Sequence, residues 1–451
     1  MSKEFKAGFW PTTCKIYQDR FRGAGNILTV FRASGPLTLD LLKRSAAVLM
    51  LRHPMCRANL EELNKRYYFF NIDEAFSQMS SWSEQRDLVP IREVSREDDA
   101  HFERLAERDF AENFPDDARF LWRLTFIRDP DDRDHQFLHV MSHAVSDALS
   151  TATFCKQLLE LAAPLAERDG GDTPIQTLAS DLVGEAFAFR PPVETMIKKP
   201  ELDASSTSAA VAEEALGIWR SEGDAPLEER FTYNIYEVVE EPLLRRLHQQ
   251  AKSHGATIHA GLTAAFLTAS AAKFGLNGTV PFSTPVNLRR HCEPEVGPED
   301  FGCYVTVEQT HFDASGKMSF WELAKDCNKI LKEKIQVSAS AGFLPVRFNR
   351  SFIQEKITNE LGELNEDRRC PGGPGLSNLG LLPFEATFGP FSLNELYFTN
   401  SQVNGYYPVF LSVLTFSGRA FCVFSCAYPL LSKETLRQIA DETLKLVGKH
   451  A

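Results

Sequence analysis

With 451 residues, 43% of them hydrophobic and 24% charged, the chain has the balance of a soluble globular protein and not of a disordered one. Its formal net charge of -12 excludes a general nucleic-acid binder, since phosphate contacts need a concentrated basic surface; only a local basic patch remains open to an anionic cofactor. At about 150 residues per domain the length predicts two or three domains, and two large lobes are expected.

In chain order, Gly25 to Arg32 reads as a strand, and Pro36-Leu37-Thr38 opens a helix that Thr38 can cap and that runs to about Arg52. Leu41, Leu42, Ser45, Val48 and Leu49 form its expected buried stripe. Arg52-His53-Pro54 ends it, because proline cannot continue a helix, and His53 is expected to serve that exit structurally rather than catalytically. Two apolar runs, Leu121 to Ile127 and Phe137 to Met141, flank Asp129-Pro130-Asp131-Asp132 and predict a β-hairpin. After Asp147, residues Leu149, Thr153, Phe154, Leu158, Leu159 and Leu161 take the spacing of an amphipathic helix.

Residues 164–174 and 190–212 are rich in Pro, Gly and polar residues, including Ser205-Ser206-Thr207-Ser208, and predict an interdomain linker. The expected division is an N-terminal lobe over 1–175, a linker over 176–225 and a C-terminal lobe over 226–451. Patterning resumes near Phe231 with a strand to Val239, a helix through Leu243, Leu244 and Leu247, and a small-residue helix from His259 to Ala272. Three loop-like clusters follow: Pro285 to Arg290, Asp300 to Val305 and Gly375 to Gly380. Two strands, Tyr407 to Phe416 and Arg419 to Tyr428, and a helix from about Ser432 to Val447 close the chain. Both lobes mix strands and helices, an α/β (α+β) architecture.

Nine cysteines, scattered from Cys14 to Cys426 without a C-x-x-C pair, fit reduced thiols better than a disulfide scaffold or a zinc knuckle. The opening Met1-Ser2-Lys3-Glu4-Phe5-Lys6 lacks the apolar core of a signal peptide, and no stretch approaches the roughly 20 apolar residues of a membrane span. A cytoplasmic protein without a membrane partner is expected.

His143 and Asp147 stand four residues apart on the predicted strand-to-helix loop, where functional side chains are often displayed. The spacing suits an imidazole base and a carboxylate that fixes it. His139, His143 and Asp147 also recur every four residues, but the run from Phe137 to Met141 reads as extended, which sets the side chains too far apart to chelate one ion; no metal is expected. Gly-x-Ser-x-Gly is absent, which disfavours a serine hydrolase, and Asp300-Phe301-Gly302 lacks the phosphate loop and H-R-D segment of a kinase.

Ser142-His143-Ala144-Val145-Ser146-Asp147-Ala148 resembles the H-H-x-x-x-D-G motif of the chloramphenicol acetyltransferase-like superfamily. That superfamily includes CoA-dependent alcohol and trichothecene acyltransferases, polyketide-associated acyltransferases and the condensation domains of nonribosomal peptide synthetases. Other segments follow in family order: Arg52-His53-Pro54-Met55-Cys56-Arg57 resembles R-H-P-x-L-R, Asn287-Leu288-Arg289 resembles N-x-R, Asp300-Phe301-Gly302-Cys303-Tyr304 resembles D-F-G-W-G, and Ser377-Asn378-Leu379-Gly380 resembles S-N-L-G. Departures from these patterns include Ser142 for the first histidine, Ala148 for the glycine and Cys303-Tyr304 for Trp-Gly.

The resemblance implies two similar lobes of the condensation-like fold with a channel between them and His143 at its middle. It implies an acyltransferase of secondary metabolism that passes an acyl group directly from acyl-CoA, acetyl-CoA foremost, to a hydroxyl of a small metabolite. The alternatives it implies are ester or amide formation from a donor carried on an acyl carrier protein, and a non-catalytic binding protein of the same fold. His143 would take the acceptor's proton, a contribution of roughly 100- to 10,000-fold. Asp147 would turn away from the substrate and pair with an arginine, for which Arg289 is the match. Ser142, Arg289, Ser377 and Asn378 are the expected substrate-contacting set. Asn378, Ser377 or a backbone N–H near Ala148 would supply donors to the oxyanion, with a plain turn role open for Asn378 and a cofactor contact open for Arg289. Direct transfer needs no protein nucleophile, so Cys155 and Cys303 are expected to be packing residues. Arg289, Arg290, Lys329, Lys332 and Lys334 could meet CoA phosphates, and a solvated helix face explains the lysines equally well.

Overall fold

The computed structural model describes residues 4–63, 66–71, 79–98, 100–115, 118–168, 170–198, 217–344, 351, 353–355, 357–358 and 367–451. The chain divides into two compact units, the first made of Met1–Met196, Pro294–Tyr304 and Pro383–Ser401, the second of Ile197–Glu293, Val305–Leu382 and Gln402–Ala451.

The first unit is built on a six-stranded sheet of β2 (Asn26–Ser34), β5 (Ile91–Ser95), β6 (Trp122–Arg128), β7 (His135–Ser142), β12 (Thr387–Phe388) and β13 (Phe391–Asn400), in the order β12-β13-β2-β7-β6-β5. A smaller sheet holds β1 (Glu4–Lys6), β3 (Ala58–Leu63) and β4 (Arg66–Asn71) in the order β1-β4-β3. The expected hairpin is β6 and β7, antiparallel with Trp122 opposite Met141 and Leu124 opposite His139. Its turn closes because the Asp129 carboxylate accepts from the amides of Arg133 (2.8 Å) and Asp134 (2.9 Å), the local bonding that makes Asp a turn residue. The helix Leu39–Arg52 starts on Thr38, whose hydroxyl accepts from Leu41 N at 3.2 Å, as the capping pattern predicts.

The helix after Asp147 runs over Ala148–Ala166 and buries Phe154, Leu158, Leu159, Leu161 and Leu165. Each such side chain contributes about 1.5–3 kcal/mol, which carries the helix through Pro164 into the segment whose composition suggested a linker.

The contiguous three-part division differs from the observed units. Residues 383–401 supply β12 and β13, and β13 pairs with β2 from Ser392 opposite Ser34 to Asn400 opposite Ile27, completing the sheet of the first unit. Residues 176–196 also pack into that unit. Glu194 Oε1 accepts from Phe9 N at 3.2 Å and so caps the helix Phe9–Arg20, and Phe187 stacks on His53. The Ser205-Ser206-Thr207-Ser208 stretch lies outside the described residues.

The second unit carries a six-stranded sheet of β8 (Phe231–Val239), β9 (Thr279–Asn287), β10 (Val305–Asp313), β11 (Gly375–Leu381), β14 (Phe410–Phe416) and β15 (Arg419–Tyr428), in the order β10-β9-β11-β14-β15-β8. Helices Glu241–Ser253, Ile258–Phe274, Phe320–Ala341 and Lys433–His450 contribute to its core with Phe266, Phe282, Phe312 and Phe424. Two of the loop-like clusters are strand in part or in whole: Pro285 to Asn287 ends β9, and Gly375 to Leu381 is β11. Glycine at 375 is required by packing, since a Cβ there would come within 2.3 Å of the Phe410 ring.

Candidate active site

The site begins where β7 runs out. Ser142 N still donates to Leu121 O at 2.8 Å and His143 N to Gly25 O at 2.7 Å, so the sheet holds the backbone up to the imidazole itself. The chain then turns tightly, with Val145 N and Ser146 Oγ both donating to Ser142 O, at 3.1 and 3.0 Å. Ser142 is fully buried, and its Oγ accepts from Gln18 Nε2 at 3.1 Å and from Ala144 N at 3.2 Å.

This turn brings the Ser146 carbonyl oxygen to 2.8 Å from His143 Nδ1. A carbonyl only accepts, so Nδ1 carries the proton and Nε2 bears a lone pair. The half-buried imidazole is held below its ordinary pKa, first by burial, with the nearby Asp147 charge opposing. It is therefore neutral at pH 7, the form a general base needs.

Asp147 is the N-cap of the helix Ala148–Ala166. Its Oδ1 accepts from both Ser150 N and Ser150 Oγ at 2.9 Å, and its Oδ2 accepts from Tyr304 N at 3.1 Å. Ala148 is the first helical residue, so its conformation needs no glycine.

The segment ending at Tyr304 is anchored within the same unit. Asp300 accepts from Arg190 at 3.0 Å and from Gly297 N at 3.0 Å. Phe301 stacks on His53 at 3.8 Å, with Phe187 on the other face at 4.9 Å. His53 Nε2 donates to Gln157 Oε1 at 2.8 Å, and burial pushes its pKa down to about 4. These contacts make His53 a structural residue of the helix exit. Cys303 is buried as expected, but its neighbour is the imidazole: its Sγ lies 3.5 Å from His143 Nδ1. Ala144, Gly302, Cys303 and Tyr304 also line a cavity of about 30 Å³.

His143, Asp147 and Ser142 thus come together in the first unit. The remaining predicted residues belong to the second. Arg289 is buried in the short turn Arg289–His291, its amide donating to Asn287 Oδ1 at 3.0 Å. Ser377 and Asn378 are half-buried on β11, where Ser377 is in register with Ser412 and Asn378 Oδ1 accepts from Gly380 N at 2.8 Å beside an irregularity in the strand pairing.

Sequence reasoning missed Gln18, Ser150 and the contact of Cys303. Ser150 had a signal, since Asp147-Ala148-Leu149-Ser150 fits a helix start; Gln18 and Cys303 had none. All nine cysteines are free thiols. Among the described residues no group of three or more His, Cys, Asp or Glu side chains could hold a metal ion, and no helix is long and apolar enough to cross a membrane.

Residues 240–342 match the family model of the phthiocerol/phthiodiolone dimycocerosyl transferase C-terminus. A linear gramicidin synthase polypeptide of Brevibacillus parabrevis is 26% identical over 313 residues, which are 66% of this chain and only 6% of that protein. Among solved structures, the trichothecene 15-O-acetyltransferase TRI3 of Fusarium sporotrichioides aligns with a TM-score of 0.74 at 12% identity, covering 100% of this chain and 95% of that one. Polyketide synthase associated protein 5 of Mycobacterium tuberculosis gives 0.65 at 13% identity, with 100% of both chains covered. The first condensation domain of the calcium-dependent antibiotic synthetase gives 0.64 at 14%, covering 99% and 96%. At these identities the likeness to the solved structures is one of fold.

Proposed function

From a chain with the fold shared by CoA-dependent acyltransferases and condensation domains, we propose an acyltransferase that moves an acyl group, acetyl foremost, from acyl-CoA to a hydroxyl of a small specialised metabolite. The observation that carries this reading is the 2.8 Å contact of His143 Nδ1 with the Ser146 carbonyl, which leaves Nε2 as a neutral base. Nε2 takes the acceptor's proton as its oxygen attacks the thioester carbonyl. The C–O bond forms, the C–S bond breaks, and the imidazolium returns the proton to the departing thiolate. No acyl-protein intermediate is needed.

Asp147 stabilises the loop through its cap on the helix Ala148–Ala166 and its hold on Tyr304 N. Within the first unit, the donors to the oxyanion are the first amides of the helix that starts at Ala148. Ser142 serves the turn, and any contact with substrate comes second to that. The identity to a gramicidin synthase favours one further reading, a donor tethered to an acyl carrier protein.

The test is thiol release from acetyl-CoA and longer acyl-CoAs with a panel of alcohols, run beside H143A. Release that depends on an alcohol and falls at least 100-fold in H143A supports the base; release equal in the mutant removes it. Turnover only with a carrier-bound acyl group moves the assignment to the condensation reading, and no turnover with either donor points to a binding protein.

A further inference from the structure

We propose that Ser150 is a positioning residue for His143: its hydroxyl latches the Gly302–Tyr304 segment and so keeps Cys303 against the Nδ1 side of the imidazole. The inference rests on the reading of His143 as the base. Ser150 is fully buried in the first turn of the helix Ala148–Ala166. Its Oγ donates to Asp147 Oδ1 at 2.9 Å and accepts from Gly302 N at 3.2 Å. The other carboxylate oxygen of Asp147 accepts from Tyr304 N at 3.1 Å. The amides on either side of Cys303 are therefore both tied to the start of the helix that follows the catalytic turn.

Between those two ties, Cys303 Sγ sits 3.5 Å from His143 Nδ1. Sulfur accepts hydrogen bonds weakly, so it does not compete with the Ser146 carbonyl for the Nδ1 proton, and its bulk keeps stronger acceptors away. That matters because the cavity beside Cys303, about 30 Å³, is large enough to admit a water molecule. With Ser150 removed, Gly302 N–H loses its buried acceptor and the segment loosens. Water can then reach Nδ1, bond it in place of Ser146 O, and release the ring to the other tautomer.

The experiment reads the ring directly. In full-length protein with nitrogen-labelled histidine, the His143 signals are identified by their loss in H143Q, and tautomer and titration are followed in wild type, S150A, S150T and C303A. Wild type should show the Nδ1–H tautomer and titrate below the ordinary histidine range. S150A should show mixed tautomers, an upward shift in titration and a fall in kcat of about tenfold with KM within about twofold; S150T should restore the wild-type signature. C303A leaves the latch intact and tests the last link separately, with the same direction of change expected should S150A not fold. An unchanged His143 signature in a folded S150A, or in C303A if S150A does not fold, overturns the proposal. Tautomer and titration are read whether or not an acceptor is turned over, so failure of the acyl-transfer reading remains distinguishable from failure of the latch.

Discussion

His143 Nδ1 and the carbonyl oxygen of Ser146 lie 2.8 Å apart, and that carbonyl is itself held by a turn in which Ser146 Oγ donates back to Ser142 O at 3.0 Å. The imidazole is thus oriented by backbone rather than by a carboxylate. Because burial holds the imidazole below the ordinary value of 6.5, its base form persists at pH 6.5. The acid limb of kcat/KM should therefore fall below pH 6.5, with activity lost as pH drops through the depressed pKa. A pH–rate profile checks this, and a limb centred at or above 6.5 would contradict the neutral, half-buried imidazole.

Ser142 occupies the position of the motif's first histidine, and restoring that histidine should harm the protein. Its Oγ accepts from Gln18 and Ala144 N in a site with no exposed surface. An imidazole there must displace Gln18 and overpack the turn, at about 1–3 kcal/mol. S142H is expected to lower the free energy of unfolding measured in urea by that amount and to reduce activity. A variant as stable as wild type would mean the turn has room that these contacts deny.

Gln18 meets Ser142 and Asn26 at once, donating to Ser142 Oγ at 3.1 Å and to Asn26 Oδ1 at 3.3 Å. Q18A leaves two buried acceptors with one donor fewer, a loss of about 1–3 kcal/mol. Equilibrium unfolding would measure it, and a change under about 0.5 kcal/mol would show that the pair does not hold the turn.

Short-range patterning made the hairpin β6–β7, the capped helix Leu39–Arg52 and the helix after Asp147 legible, because each is decided by residues a few positions apart. The rest depends on pairings that no local window contains. β13 joins the first unit by setting Leu396 opposite Phe31, and Cys303 reaches His143 across 160 positions. Residues 176–196 resembled a linker by composition, yet Phe187 and Glu194 anchor them to His53 and Phe9. A few apolar or buried contacts outweigh an average polarity.

His139 offers a test of how far burial alone shifts a histidine. It is fully buried, stacked on Phe154 at 4.3 Å and edge-on to Trp122 at 6.0 Å, and among the described residues neither of its ring nitrogens has a hydrogen-bond partner. Burial pushes its pKa down to about 3. The folded protein therefore keeps His139 neutral, while the unfolded chain protonates it below about 6.5. Between those values the unfolded state binds more protons, so the stability this site contributes is full above pH 6.5 and is lost as pH falls toward 3. His53, pushed down to about 4, adds loss of the same sign. H139F keeps an aromatic ring in the stack and removes one of these proton uptakes. At pH 7 it should be close to wild type in stability, since it deletes polar atoms that have no partner. As pH falls from 6.5 to 4.5 its advantage should widen by up to about 1.4 kcal/mol per unit. Urea unfolding at about pH 7.0, 5.5 and 4.5 measures the gap, and a gap that stays constant across the series would mean that His139 is solvated or paired in the folded protein.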